Sequence, residues 1–111
     1  MDTTKIDMYK KVLKIDPVDP VMHFGLGLEY MKYEQYQEAE PCFRKAIEFK
    51  EDYSAAYREL GKALTALERE DEAMPVYEKG IPIAEANGDI QTGKEMTVFL
   101  NRITGDEGPC Q

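Results

Sequence analysis

The side chains that could transfer a proton, attack a carbonyl or hold a metal are few in this chain, and their spacing serves none of those reactions. His23 is the single histidine, and acid–base or zinc chemistry would need a carboxylate or further ligands set beside it, which the surrounding residues do not supply. A packed, hydrogen-bonded imidazole is the expectation. Cys42 falls inside a predicted helix without a histidine at helical spacing, while Cys110 lies far along the chain in a Gly-Pro segment. Such a pair fits reduced thiols better than a disulfide. No Cys-x-x-Cys or His-Glu-x-x-His spacing, phosphate-cradling glycine loop or nucleophile elbow occurs. The sequence therefore predicts a protein that is not an enzyme and uses no cofactor or metal, with its 22 Asp and Glu residues on solvated helix faces.

Residues suited to binding are of another kind. Phe24, Leu28 and Met31 fall on one face of a predicted helix, and 34 residues later the equivalent places hold Arg58, Lys62 and Thr65. Apolar side chains at that spacing either hold an apolar anchor or are themselves buried. A basic pair at i and i+4 faces a carboxylate, either a partner's or that of nearby Glu59 or Glu29. The basic pair stands out because the chain carries a formal net charge of −8 and no dense Lys/Arg cluster. That charge repels phosphates and anionic lipid heads, so neither nucleic acid nor a membrane is an expected partner. The first residues lack the basic and apolar regions of a secretory signal, and a cytoplasmic location is expected.

A repeat positions these residues. Leu26-Gly27 returns as Leu60-Gly61, Tyr30 as Leu64, Glu38-Ala39 as Glu72-Ala73, Pro41 as Pro75, Phe43 as Tyr77, Ala46 as Gly80 and Ile47 as Ile81, always 34 residues on. Gly27 and Gly61 let a neighbouring helix backbone come close, while Leu26 and Leu60 supply apolar contact. Ala39 and Ala73 play the same part on the second helix of each unit, and Phe43 or Tyr77, one turn on, fills the space between helices.

The period, with a large residue-x2-Leu-Gly-x2-aromatic followed by Ala-x3-aromatic-x2-small, resembles the tetratricopeptide repeat family, in which each unit is two antiparallel helices. His23-x2-Leu26-Gly27-x2-Tyr30 and Ala39-x3-Phe43-x2-Ala46 fill the pattern in the first unit; Tyr57-x2-Leu60-Gly61-x2-Leu64 and Ala73-x3-Tyr77-x2-Gly80 fill it in the second. His23 stands where a Trp is usual, and Glu51 replaces the unit-ending Pro. The resemblance implies an all-α right-handed solenoid of antiparallel helix pairs, about six helices, and a scaffold that binds another protein or peptide. It also implies that the first helices of the units line a concave groove, which makes Phe24, Leu28, Met31, Arg58, Lys62 and Thr65 the candidate groove residues. Members that clamp acidic C-terminal tails carry Asn on these faces; Leu28 and Lys62 stand there instead, so that specificity is not expected. The alternative is a self-associating structural module, a weak homo-oligomer through exposed helix faces rather than a monomeric adaptor.

In chain order, one domain spans residues 1–104. Residues 5–19 read as an N-terminal half repeat held by Tyr9, Val12 and Leu13, with Thr3 or Thr4 as N-cap. Repeat 1 covers 20–53, opened by Asp19 as N-cap and Pro20 at the first helical position. Repeat 2 covers 54–87, capped by Ser54 or Asp52, with a bend expected at Pro82. Asn87-Gly88-Asp89 reads as a stop and restart, residues 88–104 as a capping helix with Met96, Phe99, Leu100 and Ile103 on one stripe, and residues 105–111 as a disordered tail.

Overall fold

Apolar residues at helical spacing, broken by short polar joints, give six α-helices and no strand among residues 1–105, the part of the chain that the computed structural model describes. These are α1 (Thr4–Ile15), α2 (Pro20–Lys32), α3 (Tyr36–Phe49), α4 (Ser54–Ala66), α5 (Glu70–Ala86) and α6 (Ile90–Thr104). Each helix packs chiefly on its chain neighbours, with lighter contact from α2 to α4 and from α4 to α6. The described chain measures 51 × 29 × 20 Å, the elongated all-α solenoid that the repeat predicts. Cys110 and the tail from 106 to 111 lie outside the described residues. Gly105, expected to open that tail, instead closes α6 at φ 75°.

Helix starts follow the sequence at one place and depart from it at two. Asp19 accepts hydrogen bonds from the N–H groups of Val21 (2.9 Å) and Met22 (3.3 Å), with Pro20 at the first helical position. At α1, Thr3 holds the N-cap place without a side-chain cap bond; Asp2 accepts instead from the N–H (2.9 Å) and hydroxyl (2.7 Å) of Thr4. At α4 the N-cap is Tyr53, neither Asp52 nor Ser54. Ser54 is already helical and buried, and its hydroxyl donates to Asp89 at 2.9 Å, tying α4 to the joint before α6. α5 runs through Pro75 and Pro82 as one helix of 17 residues.

Three helices end alike. The N–H groups of Glu34 and Gln35 reach back to the carbonyls of Met31 and Tyr30 (3.0 and 2.8 Å), those of Glu68 and Arg69 to Thr65 and Leu64 (3.0 and 2.8 Å), and those of Gly88 and Asp89 to Glu85 and Ala84 (3.1 and 2.8 Å). This double closure is the Schellman motif, and it demands a left-handed residue at the first place of each pair. Those residues are Glu34 at φ 59°, Glu68 at 61° and Gly88 at 73°. The glycine is visible in the sequence; the glutamates are not, since nothing about Glu signals that conformation. A Cβ there costs about 1–2 kcal/mol, partly offset by the greater freedom of glycine in the unfolded chain. Glu68→Gly should therefore raise stability by about 0.5–1 kcal/mol, read as a higher urea midpoint at unchanged slope. A lower midpoint would mean that the Glu68 side chain outweighs its own strain.

The apolar faces merge into one main cluster, in which Phe43, Leu64, Tyr77 and Met96 are fully buried, and a smaller one of Ile6, Leu26 and Cys42. Ala39, Ala46, Leu60 and Ala73 are buried as well, and Tyr30 packs partly buried against both clusters. The repeat glycines sit under aromatic rings: a Cβ on Gly27 would lie 2.5 Å from the Phe43 ring, one on Gly61 would overlap the ring of Tyr77, and one on Gly80 would lie 2.6 Å from the Cβ of Tyr57. Gly25 receives Tyr9 in the same way, at 2.6 Å. The half repeat is held differently from the expectation at one residue. α1 turns Ile6, Tyr9 and Leu13 inward, one helical face at i, i+3 and i+7, and this leaves Val12 exposed.

Candidate protein-interaction site

The candidate residues lie on the alternate helices α2 and α4, with α6 continuing their row. On α2 the Phe24 ring lies against Tyr53 (centroids 4.9 Å apart) and Phe43 (5.7 Å), and Met31 packs on the same cluster. Both are half-buried parts of the scaffold. Leu28, 39% exposed, is the open member of that stripe. His23 is the packed imidazole that the sequence leads one to expect, with Nε2 2.8 Å from the Pro17 carbonyl and its ring 5.7 Å from that of Phe49.

Arg58 and Lys62 do not form an open basic pair. The Arg58 guanidinium donates from Nε to Glu59 (2.9 Å) and from Nη1 to Glu95 (2.9 Å) and Thr92 (3.2 Å), and its side chain is only 24% exposed. Burial opposes the Arg58 cation, but Glu59 and Glu95 outweigh it and raise its pKa. Glu59 is itself buried, and a buried carboxylate persists as an anion only when so paired. Arg58 is thus a strut from α4 to α6. Lys62 lies 3.4 Å from Glu59 yet keeps a side chain 43% exposed, so it retains capacity for a further acceptor. Thr65 donates its hydroxyl to the Gly61 carbonyl at 2.8 Å. The Glu59 partnership is legible from adjacency; Glu95 is not, because it meets Arg58 only through the packing of α6 on α4.

Between α4 and α6 lies a cleft of about 320 Å³, lined among others by Lys62, Thr65, Tyr77, Phe99, Arg102 and Ile103. The Arg102 guanidinium carbon sits 5.8 Å from the Phe99 ring centroid, and among the described residues it has no carboxylate partner. An apolar, aromatic floor under two cations suits a side chain with an acidic neighbour. The sequence reading assigns Phe99 to cap packing and does not single out Arg102. The available signal was their i, i+3 spacing, which puts the cation over the ring.

Elsewhere the charges are paired. Arg69 holds Glu40 in a two-pronged contact (Nη1–Oε1 2.5 Å, Nη2–Oε2 3.0 Å) and Glu72 in another (2.6 and 2.7 Å), while Arg44 reaches Glu40 at 2.9 Å. Burial pushes the Glu40 carboxyl up, but Arg69 and Arg44 outweigh it and hold it below the usual range; Arg69 holds Glu72 down likewise. Carboxylates with depressed pKa values stabilise the fold above their unfolded pKa, near 4.3, and that contribution disappears as pH falls through the lower folded values. Glu40→Gln should accordingly lower the urea midpoint at pH 6 by about 0.2–1 kcal/mol per screened pair lost, and the difference from wild type should vanish near pH 3. A pH-independent difference would assign the effect to packing. Cys42 is inert by the same kind of reasoning: its Sγ donates to the Glu38 carbonyl at 3.4 Å, and burial pushes the thiol up to about 11.

Stacked antiparallel helix pairs, with a polar and partly open face along one row of helices, define an α-helical repeat scaffold rather than an enclosed reaction chamber. No described helix is long and apolar enough to cross a membrane. The chain belongs to the tetratricopeptide repeat family, whose models match residues 20–53 and 54–87. It is 33% identical over 98 residues to a TPR repeat-containing protein of Pseudomonas aeruginosa, covering 88% of this chain and 93% of that one. A solved solution structure of a protein from Bordetella parapertussis is similar at a TM-score of 0.78 and 31% identity, covering 96% of this chain and 92% of that one. The peroxisomal targeting signal receptor of Eremothecium gossypii is 30% identical over 79 residues, 70% of this chain but 14% of the receptor. Repeats of this family are protein–protein interaction modules.

Proposed function

We propose that the face formed by α2, α4 and α6 is a concave groove that binds a peptide segment of another protein, as a non-catalytic adaptor. The cleft between α4 and α6 carries this reading, because Lys62 and Arg102 rim an apolar floor on a chain of net charge −8. A partner with an apolar anchor and an acidic residue about one repeat away would engage Leu28 and the cleft together. Burying an apolar anchor contributes roughly 1.5–3 kcal/mol and an exposed ion pair about 0.2–1 kcal/mol, so apolar contact sets affinity and the cations set selectivity. The receptor among the relatives supports the reading, since its printed name makes it a receptor for a targeting signal.

Peptides selected from a random display library and titrated by calorimetry test it. Selected sequences should pair an aromatic or aliphatic residue with Asp or Glu. Leu28→Ala should weaken them about tenfold at any salt. Lys62→Glu with Arg102→Glu should weaken them several-fold at low salt and less at high salt, where charges are screened. Peptides that bind both variants as tightly as wild type would remove this face from consideration.

A further inference from the structure

Within the chain, every second helix of a pair seats on the helix before it. Phe43 of α3 lies over Gly27 of α2, and Tyr77 of α5 over Gly61 of α4. The N-cap residues of α4 and α6, Tyr53 and Asp89, stand 36 positions apart, so Thr97 on α6 occupies the place of Gly61. The face of α6 that would receive a following helix is open: it forms a groove of about 460 Å³ lined by Glu85, Ile90, Gly93, Lys94, Thr97 and Val98, with Val98 48% exposed.

At the other end of the molecule the complementary surface is bare. Ala46 is fully buried and Phe49 stacks on His23 of the preceding helix. Their counterparts one period earlier, Val12 and Ile15 of α1, are exposed, Ile15 at 86%, together with Met8. The same register places Gly93 of α6 where α2 has His23, which leaves room opposite a residue in the Ile15 position. Charge has the matching sense. Lys5, Lys10, Lys11 and Lys14 against Asp7 give α1 a charge of +3, leaving −11 on the rest of a chain whose total is −8.

We infer that copies of this chain associate head to tail, α1 of one copy seating in the α6 groove of the next as α3 seats on α2. Met8, Val12 and Ile15 would meet Ile90, Gly93 and Val98, and the basic α1 would be drawn to the acidic body of its neighbour. The two surfaces differ, so the contact is heterologous; each added copy presents a fresh groove, and growth is open rather than closed at a dimer. The contact uses the ends of the solenoid and leaves Leu28, Lys62 and Arg102 free.

Sedimentation equilibrium across a concentration series up to hundreds of micromolar tests the inference. The wild type should show a mass that climbs with concentration past the dimer, and less steeply in high salt. Ile15→Asp blocks the head and Val98→Asp blocks the tail; both sites are exposed, and unchanged thermal melting verifies that each variant is folded. Each variant alone should be monomeric, whereas an equimolar mixture should form dimers and nothing larger, through the one intact head and the one intact tail. A wild type that stays monomeric overturns the inference and leaves the two faces to other proteins. Val98→Asp that self-associates like wild type overturns it in favour of α1 pairing with α1. A mixture that stays monomeric overturns it as well.

Discussion

Gly61→Val is expected to abolish the folded state. A Cβ at position 61 would overlap the ring of Tyr77, which is 1% exposed and lies with its centroid 5.9 Å from that of Phe99, so the ring has no vacant side to turn toward. The helices cannot separate to make room, because α4 is held by α2, α3, α5 and α6 at once. Inserting even single methylenes into a packed core costs about 1–3 kcal/mol. Three carbons placed inside a buried ring exceed about 4–5 kcal/mol, comparable to the whole stability of a small domain. The measurement is the loss of a cooperative thermal transition by circular dichroism. Gly93→Ala is the control: its Cβ would meet that of Ala84 at 3.5 Å, an ordinary contact, and the alanine should raise helix stability by up to about 1 kcal/mol. A Gly61→Val protein melting within a few degrees of wild type would refute the close packing of α4 on α5.

Removing residues 88–111 should be nearly as damaging. The deletion takes away Met96, fully buried against Gly80, and Phe99, which covers Tyr77. It also strips Arg58 of Glu95 and Thr92, and Ser54 of Asp89. Losing one buried Met side chain costs about 2–5 kcal/mol, and the partly buried Ile81 and Ile83 lose cover as well. The truncated chain should aggregate or bind a hydrophobic dye in a compact state without a sharp transition. Full solubility with unchanged melting would show that α6 does not complete the core.

How much of this the sequence carries depends on the kind of interaction. The solenoid was legible because one spacing, Leu-Gly then Ala-x3-aromatic, recurs after 34 residues, and the packing it encodes is a local match of small against large. Gly25 under Tyr9 escaped notice because it falls outside that repeat. The caps at Asp2 and Tyr53 were misplaced by a residue or two, the usual uncertainty where several polar residues adjoin a helix start. Groove electrostatics were less legible. Arg58 looks free on its own helix, and only the packing of α6 brings Glu95 to it; Arg102 looks like surface charge until Phe99 is placed beneath it. Periodicity reports which face of a helix points inward, and it carries no information about which charges two distant helices bring together.

The uneven seating of the helices also sets how the molecule moves. The backbone of α1 packs on α2 alone, whereas α4 is gripped by four helices. Amide protons of α1 can therefore exchange with solvent through a local opening that leaves the rest of the chain intact, while those of α4 must wait for global unfolding. Protection should climb from the first helix to the fourth and fall again toward the end of the sixth, so this small domain has a gradient of opening free energies along its length. Its ends sample open states far more often than its middle does, and the surfaces at the ends are in those states renewed and remade on timescales that the central helices never share.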